Sequence, residues 1–347
     1  MSDSASTEDY PEIADVTIIG GGPSGLAAAY YAGHREATVR IMDTLPELGG
    51  QVMAMYPEKH VYDVAGHPKI KAADLVALQV EQALQFDPEV VLNEDSCSIE
   101  YLEAPDEPTG KLIRITGLRG ATYLTRTIIV TAGHGSFEPR KLPVADIDDW
   151  TGRGLHYLVK RTADFANKRV VIVGGGDSAL DWTLGLDDVA ANPITLVHRR
   201  DRFRALEGSV SKMRELASHG RVNLMVPSEV TQIHGGDMIE AVTVTNAEDG
   251  TERVEQCDAL VTLLGFKSAL GSIGEWGFEF HSKKQVLVDP TTMATSMPLV
   301  FAAGDVAGYE NKITLITIGL GEAAIAANRA ITMFRPDARA QPKYSSE

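Results

Sequence analysis

Two stretches of the chain share one pattern of apolar and polar positions. Asp15-Val-Thr-Ile-Ile-Gly20 is a short, largely β-branched run that ends in a glycine cluster. Helix-forming residues Leu26–His34 follow, and then a second apolar run, Thr38–Asp43. Arg169-Val-Val-Ile-Val-Gly174 repeats the arrangement, with a glycine turn, a helix-forming stretch to Leu186 and an apolar run at Ile194–His198. Apolar runs of this length read as buried strands, and strand–helix–strand at this spacing predicts a βαβ unit with a parallel pair.

The remaining pattern is weaker. Residues Lys71–Phe86 have helical periodicity, whereas Leu112–Gly117 and Thr122–Val130 alternate as antiparallel strands do. Further along, Glu207–Ser218 predicts a helix, 221–226 and 229–245 short strands, and Ala259–Leu264 another apolar strand. Leu299–Ala303 reads as a buried strand, Thr317–Phe334 as a long helix, and the tail Arg335–Glu347, with its two prolines, as extended chain. The partition this predicts is nested: 1–139 and 269–347 form one domain, and 140–268 are inserted as another. The chain crosses between them near Phe137–Leu142 and Gly265–Ser268, which carry the Gly and Pro expected of hinges.

Composition narrows the class. With 347 residues, 44% hydrophobic and 23% charged, the chain is an ordinary globular sequence long enough for two cores. No apolar run approaches the roughly 18 residues of a membrane span. The opening MSDSASTEDYPE lacks a basic and then apolar signal pattern and reads as a frayed leader. Cys97 and Cys257 are too far apart for a CxxC pair, which suits a reducing, cytoplasmic setting. A net charge of −16 argues against nucleic acid as a general partner.

The glycine turns carry the chemistry. Gly20-Gly21-Gly22-Pro23-Ser24-Gly25 is G-x-G-x-x-G between a strand and a helix. Gly20 permits the turn, Gly22 lets a pyrophosphate approach the backbone, and Gly25 lets helix and strand pack closely. Ser24 stands in the first helical turn, which faces the anion. Asp43, at the end of the next strand, is spaced to accept hydrogen bonds from a ribose diol. Gly174-Gly175-Gly176-Asp177-Ser178-Ala179 is G-x-G-x-x-A in the same setting, but its following strand ends in His198-Arg199-Arg200-Asp201-Arg202-Phe203-Arg204. An acid at the ribose would repel a 2′-phosphate, whereas guanidinium groups hold one in bidentate fashion. Arg199, Arg200 and Arg204 are therefore the candidate 2′-phosphate ligands, and NADPH is favoured over NADH.

These features together resemble the thioredoxin reductase fold, with one departure. Where those enzymes carry their redox CxxC, before the second glycine turn, this chain reads Tyr157-Leu-Val-Lys160. A closer resemblance is to the thioredoxin-reductase-like ferredoxin (flavodoxin)–NADP+ reductases. It covers nearly the whole chain and rests on Leu48-Gly-Gly-Gln51, Met55-Tyr-Pro-Glu-Lys59, Val61-Tyr-Asp-Val-Ala-Gly-His-Pro68, Gly135-Ser-Phe-Glu-Pro-Arg140, Gly174 through Trp182, and Gly308-Tyr-Glu-Asn-Lys312.

The resemblance implies an α/β fold of two Rossmann-like domains, an FAD domain (1–139 and 269–347) with an inserted NADPH domain (140–268), and a homodimer. It implies that Gln51 bonds the flavin or its ribityl chain, that Tyr56 stacks on one flavin face, that Phe137 packs beside FAD, and that the backbone near Ser96 meets the adenine end. Asp305, in Phe301-Ala-Ala-Gly304-Asp305, would meet a ribityl hydroxyl. The helix after Thr317-Ile-Gly319 would point its N-terminus at the flavin pyrimidine end. In the tail, Tyr344 would cover the other flavin face and move aside for nicotinamide, with Ser346 bonding the flavin.

The implied reaction moves a hydride between NADPH and FAD, and single electrons between FAD and a ferredoxin or flavodoxin. It requires no side-chain acid, base or nucleophile. Its rivals are an NADPH oxidase or diaphorase and a non-catalytic FAD-binding redox sensor. Arg140, Lys141, Arg153, Lys160 and Arg161 are the candidate docking cations for an acidic partner. His60, His67, His134, His156 and His198 lack metal-ligand spacing, and His134 is a candidate for tuning the flavin.

Overall fold

The computed structural model describes residues 12–339. Both βαβ patterns form. Ile13–Ile19 lies between Val39–Asp43 and Thr122–Val130, parallel to each, at the centre of a seven-stranded sheet. Its side chains from Val16 through Ile18 are fully buried, because the sheet is covered where it is parallel. Arg169–Val173 likewise lies between Ala191–Val197 and Ala259–Thr262, parallel to both, in a five-stranded sheet.

The first sheet changes character across its width. The strand Thr122–Val130 takes Lys111–Gly117 antiparallel along its start and Val300–Ala302 parallel along its end. The expected alternation is present in Lys111–Gly117 from Ile113 onward, whereas Thr122–Val130 ends in four buried residues, because that end is flanked by parallel strands on both sides. Two strands without a clear signal complete the sheet at its edges, Glu89–Leu92 and Ser96–Glu103. Edge strands bury few positions, so their sequences lack a continuous apolar run.

Helices Pro23–His34 and Ile316–Phe334 pack on each other and on this sheet. Alanines make that approach possible: Ala28, Ala323, Ala326, Ala327 and Ala330 have no exposed surface. Lys71–Phe86 becomes a helix, Ala72–Ala83, ending in a 3₁₀ turn.

The chain divides into two compact units. One consists of the described residues to Ala54, Lys59–Ser136 and the chain from Ser268; the other is Phe137–Lys267 together with Met55–Glu58. Thr162 N–H donates to the Glu58 carboxylate (2.8 Å), which explains why that short segment joins the second unit. The second unit holds its own cores, one around Ile172, Leu180 and Leu196 and another around Val173, Val197 and Val242. Beside its parallel sheet runs an antiparallel one of Ser228–Gly235, Ile239–Asn246 and Glu252–Gln256, the last unmarked in sequence because its residues are mostly exposed. No helix among the described residues is long and apolar enough to cross a membrane.

Candidate functional site

The first unit builds a nucleotide cradle at the ends of its parallel strands. Gly22 caps the Pro23–His34 helix in extended backbone, and Pro23 takes the first helical position, where no N–H partner is lost. Gly25 packs so closely that an added Cβ would overlap the carbonyl oxygen of Gly20. At Gly22 the space is open: the nearest atom to an added Cβ is Gly50 Cα, 3.8 Å away. A backbone turn bare of side chains at a helix N-terminus fits a pyrophosphate.

Asp43 completes the cradle. Its Oδ2 accepts from Gly21 N–H (2.6 Å) and its Oδ1 from Leu45 N–H (2.8 Å). Only 8% exposed, its carboxyl is pushed up by burial, against the lowering effect of these backbone donors. The carboxylate is thus fixed beside the glycine turn with lone pairs left to accept from a diol. Ser96 is 2% exposed, and its hydroxyl turns to Met42 Sδ, the residue before Asp43 (4.0 Å).

Segments remote in sequence converge on the same turn. Gly304 adopts φ +80°, and an added Cβ would lie 2.5 Å from Ser24 Oγ, so a left-handed glycine and a close approach coincide there. Gly319, in the first turn of Ile316–Phe334, also abuts Ser24. Asp305 Oδ2 stands 3.6 Å from His134 Nε2, and both side chains are partly exposed. Gln51 Nε2 approaches Gly133, within 2.9 Å of where a Cβ would sit.

Beneath this junction Glu322, 4% exposed, accepts from Gly304 N–H (2.8 Å), from the Tyr309 hydroxyl (2.6 Å) and from the Lys312 ammonium. Glu322 was missed in sequence. The available signal is that it is the one acid in Ile316–Phe334, an otherwise largely apolar helix.

Of the other expected flavin residues, Tyr56 follows the Gly50–Met55 helix and is half-buried. Phe137 lies in the Ser136–Pro139 strand, which pairs with Phe266–Ala269. Tyr344 and Ser346 lie outside the described residues.

The second unit repeats the cradle with a different rim. Gly176 caps the Asp177–Gly185 helix, and an added Cβ there meets nothing within 4 Å. Gly174 N–H donates to Val197 O (3.1 Å), Ala179 is fully buried under the turn, and Ser178 is exposed. Arg199, Arg200 and Arg204 are exposed, and none has a carboxylate partner among the described residues.

Asp177 is exposed, with one carboxylate oxygen engaged. Its Oδ1 accepts from Leu206 N–H (2.9 Å), while Arg204 N–H donates to Gly175 O (2.8 Å). Two bonds thereby clasp the arginine loop to the glycine turn. A cavity of about 460 Å³ opens beside it, lined by Arg202, Phe203, Ala205, Val210 and Arg214 among others. The His198 ring lies against Gly175. Burial and then the neighbouring Arg199, Arg204 and Arg200 lower its pKa, against a contact with Arg202 O.

The cations expected to steer docking are largely engaged. Lys141 pairs with Asp148 (2.7 Å) and Arg161 with Asp164 (2.8 Å). Arg153 donates to Asp237 O (2.8 Å) and stacks over Trp150 (4.9 Å). The cysteines are no dithiol: Cys97 belongs to the first unit and Cys257 to the second, where burial pushes its thiol up to about 12.

Residues 14–326 match the pyridine nucleotide-disulphide oxidoreductase family. The chain is 43% identical over 335 residues to ferredoxin–NADP reductase 2 of Oceanobacillus iheyensis, covering 96% of this chain and 98% of the relative. It is 43% identical over 333 residues to ferredoxin–NADP reductase of Thermus thermophilus, covering 96% of each. Its fold is similar to that of Lactococcus lactis thioredoxin reductase, with a TM-score of 0.72 and 25% identity over 93% of this chain and 99% of the other. Its fold is likewise similar to that of T. acidophilum thioredoxin reductase, with a TM-score of 0.71 and 22% identity over 93% of this chain and 98% of the other. The chain belongs to the pyridine nucleotide-disulphide oxidoreductase family and, within it, to the thioredoxin-reductase-like ferredoxin–NADP reductases, as an FAD-dependent, NADP-linked oxidoreductase.

Proposed function

We propose that this enzyme exchanges electrons between NADPH and a one-electron carrier protein, ferredoxin or flavodoxin, as a cytoplasmic homodimer. The observation that carries the reading is the pair of unlike cradles, one rimmed by a fixed carboxylate and one by three arginines that have no carboxylate partner among the described residues, in a chain without a dithiol. Bound FAD supplies the chemistry that links a two-electron hydride donor to a one-electron acceptor.

The protein's own work is positioning. Gly20, Gly22, Ser24 and Gly25 receive the FAD pyrophosphate at the helix N-terminus, and Asp43 accepts from the ribose diol. Asp305 meets a ribityl hydroxyl, held in place through Gly304 by Glu322. Gln51 bonds the ribityl or ring, the backbone at Ser96 meets the adenine end, Tyr56 and Tyr344 take the two ring faces, Phe137 packs beside FAD, and Ser346 bonds the flavin. In the second cradle Gly174, Gly176, Ser178 and Ala179 receive the NADPH pyrophosphate. Arg199, Arg200 and Arg204 take the 2′-phosphate. For Asp177 the bond to Leu206 N–H supports a role in holding the arginine loop rather than touching nucleotide.

The test is NADPH-dependent reduction of cytochrome c with and without added ferredoxin. Dependence on ferredoxin is expected. Full rates without any carrier assign the enzyme to the oxidases and diaphorases instead.

A further inference from the structure

We infer that the surface joining residues 59–71 to the start of the Ile316–Phe334 helix is the docking face for a small carrier protein that is acidic around its one-electron centre. The inference rests on the proposed function and names where that function's partner binds.

Three exposed apolar side chains stand on these two segments: Tyr62 at 66% exposure, Ile313 at 59% and Leu315 at 42%. They come from two segments stitched together by Thr317 Oγ1, which donates to Asp63 O (2.9 Å). Exposed apolar groups on segments held together are costly in water and mark interaction sites, and tyrosine suits such a surface because it is large, stiff and amphipathic.

The rim is cationic in a strongly acidic chain. Residues 59–71 carry Lys59, Lys69 and Lys71 against one acid, Asp63, whereas the whole chain has 32 Lys and Arg against 48 Asp and Glu. His60 pairs in register with Lys71, and its ring lies 6.4 Å from that of Tyr62. Lys69 and Lys71 are exposed and form no ion pair among the described residues, unlike Lys141 and Arg161. The acids beside this face are Asp63 and the exposed Glu310. A local positive rim around an apolar centre attracts an acidic partner, although the net charge of −16 does not.

The platform is rigid and adjoins the flavin cradle. Just before Ile313, Lys312 is buried against Glu322. Just after Thr317, Gly319 abuts Ser24 of the glycine turn. A surface fixed on both sides spends little ordering entropy on contact. Its place at the first turn of the helix beside Gly304-Asp305 sets a docked carrier next to the cradle, in the same unit.

The test compares Lys69→Glu/Lys71→Glu and Tyr62→Ser with wild type in three measurements: NADPH-dependent reduction of a [4Fe–4S] ferredoxin at low and high salt, reduction of neutral 1,4-benzoquinone, and mass by sedimentation. The inference expects the ferredoxin KM of Lys69→Glu/Lys71→Glu to rise about tenfold at low salt and converge with wild type at high salt, and that of Tyr62→Ser to rise at both, with quinone turnover and mass unchanged for each. An unchanged ferredoxin KM overturns it. A lowered oligomer mass also overturns it, because the face then belongs to a second copy of the chain. Should the wild-type enzyme reduce quinone but neither ferredoxin nor flavodoxin, the proposed function itself fails, before any variant is compared.

Discussion

Glu322 Oε2 accepts a hydrogen bond from Gly304 N–H at 2.8 Å, tying the middle of the long C-terminal helix to the turn that presents Asp305. The other carboxylate oxygen takes the Tyr309 hydroxyl and the Lys312 ammonium, and the charged side chains are 5% and 4% exposed. Burial and Glu322 together push the Tyr309 phenol up to about 12, so it remains a donor at neutral pH. Removing one partner of such a buried pair strands the other charge, at a cost of about 3–5 kcal/mol. Glu322→Ala is expected to lower urea stability by that amount and to weaken FAD retention measured by flavin fluorescence. A loss below about 1 kcal/mol with full flavin content contradicts this account.

Glycines of one motif should fail in different ways. Gly22→Val places its side chain in open space, so the protein should fold and be purified without flavin colour. Gly25→Ala drives a Cβ into the Gly20 carbonyl, a backbone atom that cannot swing aside, and should cost about 1–3 kcal/mol or more of apoprotein stability. Thermal denaturation of the two apoproteins, beside their flavin absorbance, separates the effects. In the second cradle Gly176→Val should behave like Gly22→Val, with NADPH binding as the property lost.

Nucleotide selection offers a graded series. Arg200→Ala should raise the NADPH KM by about one to two orders of magnitude and leave the NADH KM nearly unchanged, because a charge-assisted bond to phosphate contributes about 1.5–3 kcal/mol. Asp177→Ala, which releases Leu206 N–H, should give a smaller loss in the same direction. Asp177→Asn keeps an oxygen acceptor and should restore most of it. Equal losses for NADPH and NADH in Asp177→Ala would point to a role in the pyrophosphate turn instead.

Acid should weaken the second unit through two histidines. His198 has its pKa lowered by burial first and by the surrounding arginines next; His156 has its own lowered by burial first and then by Lys168. Both are thus depressed below their unfolded values. As pH falls through about 6.5, the unfolded chain takes up protons that the folded one resists, and stability is lost until the folded pKa is passed. The melting temperature of wild type should fall more between about pH 7 and pH 5 than that of His198→Gln/His156→Gln. Parallel curves would show that other groups govern the acid limb.

Much of this molecule was legible from local pattern. The strand, glycine turn, helix and following strand of each cradle lie within some thirty residues, and their periodicity and glycine spacing state the geometry directly. Asp43 against Arg199, Arg200 and Arg204 could be read for the same reason, since Asp43 ends its strand and the arginines follow within seven residues of theirs. Edge strands Glu89–Leu92 and Ser96–Glu103 could not, because partial exposure leaves no period to detect.

Two nucleotide cradles and the sign of charge on each rim were readable from the order of residues alone, because that chemistry depends on residues close together in the chain. Folding alone shows that Glu322 and Lys312 underpin Gly304, that Asp177 accepts from Leu206 N–H, and that Lys141 and Arg161 are paired while Lys69 and Lys71 form no ion pair among the described residues. Partners that the fold brings together, three residues apart for Arg161 and Asp164 and 29 for Asp177 and Leu206, leave no periodic trace, and whether a charge is free depends on which acid the fold sets beside it.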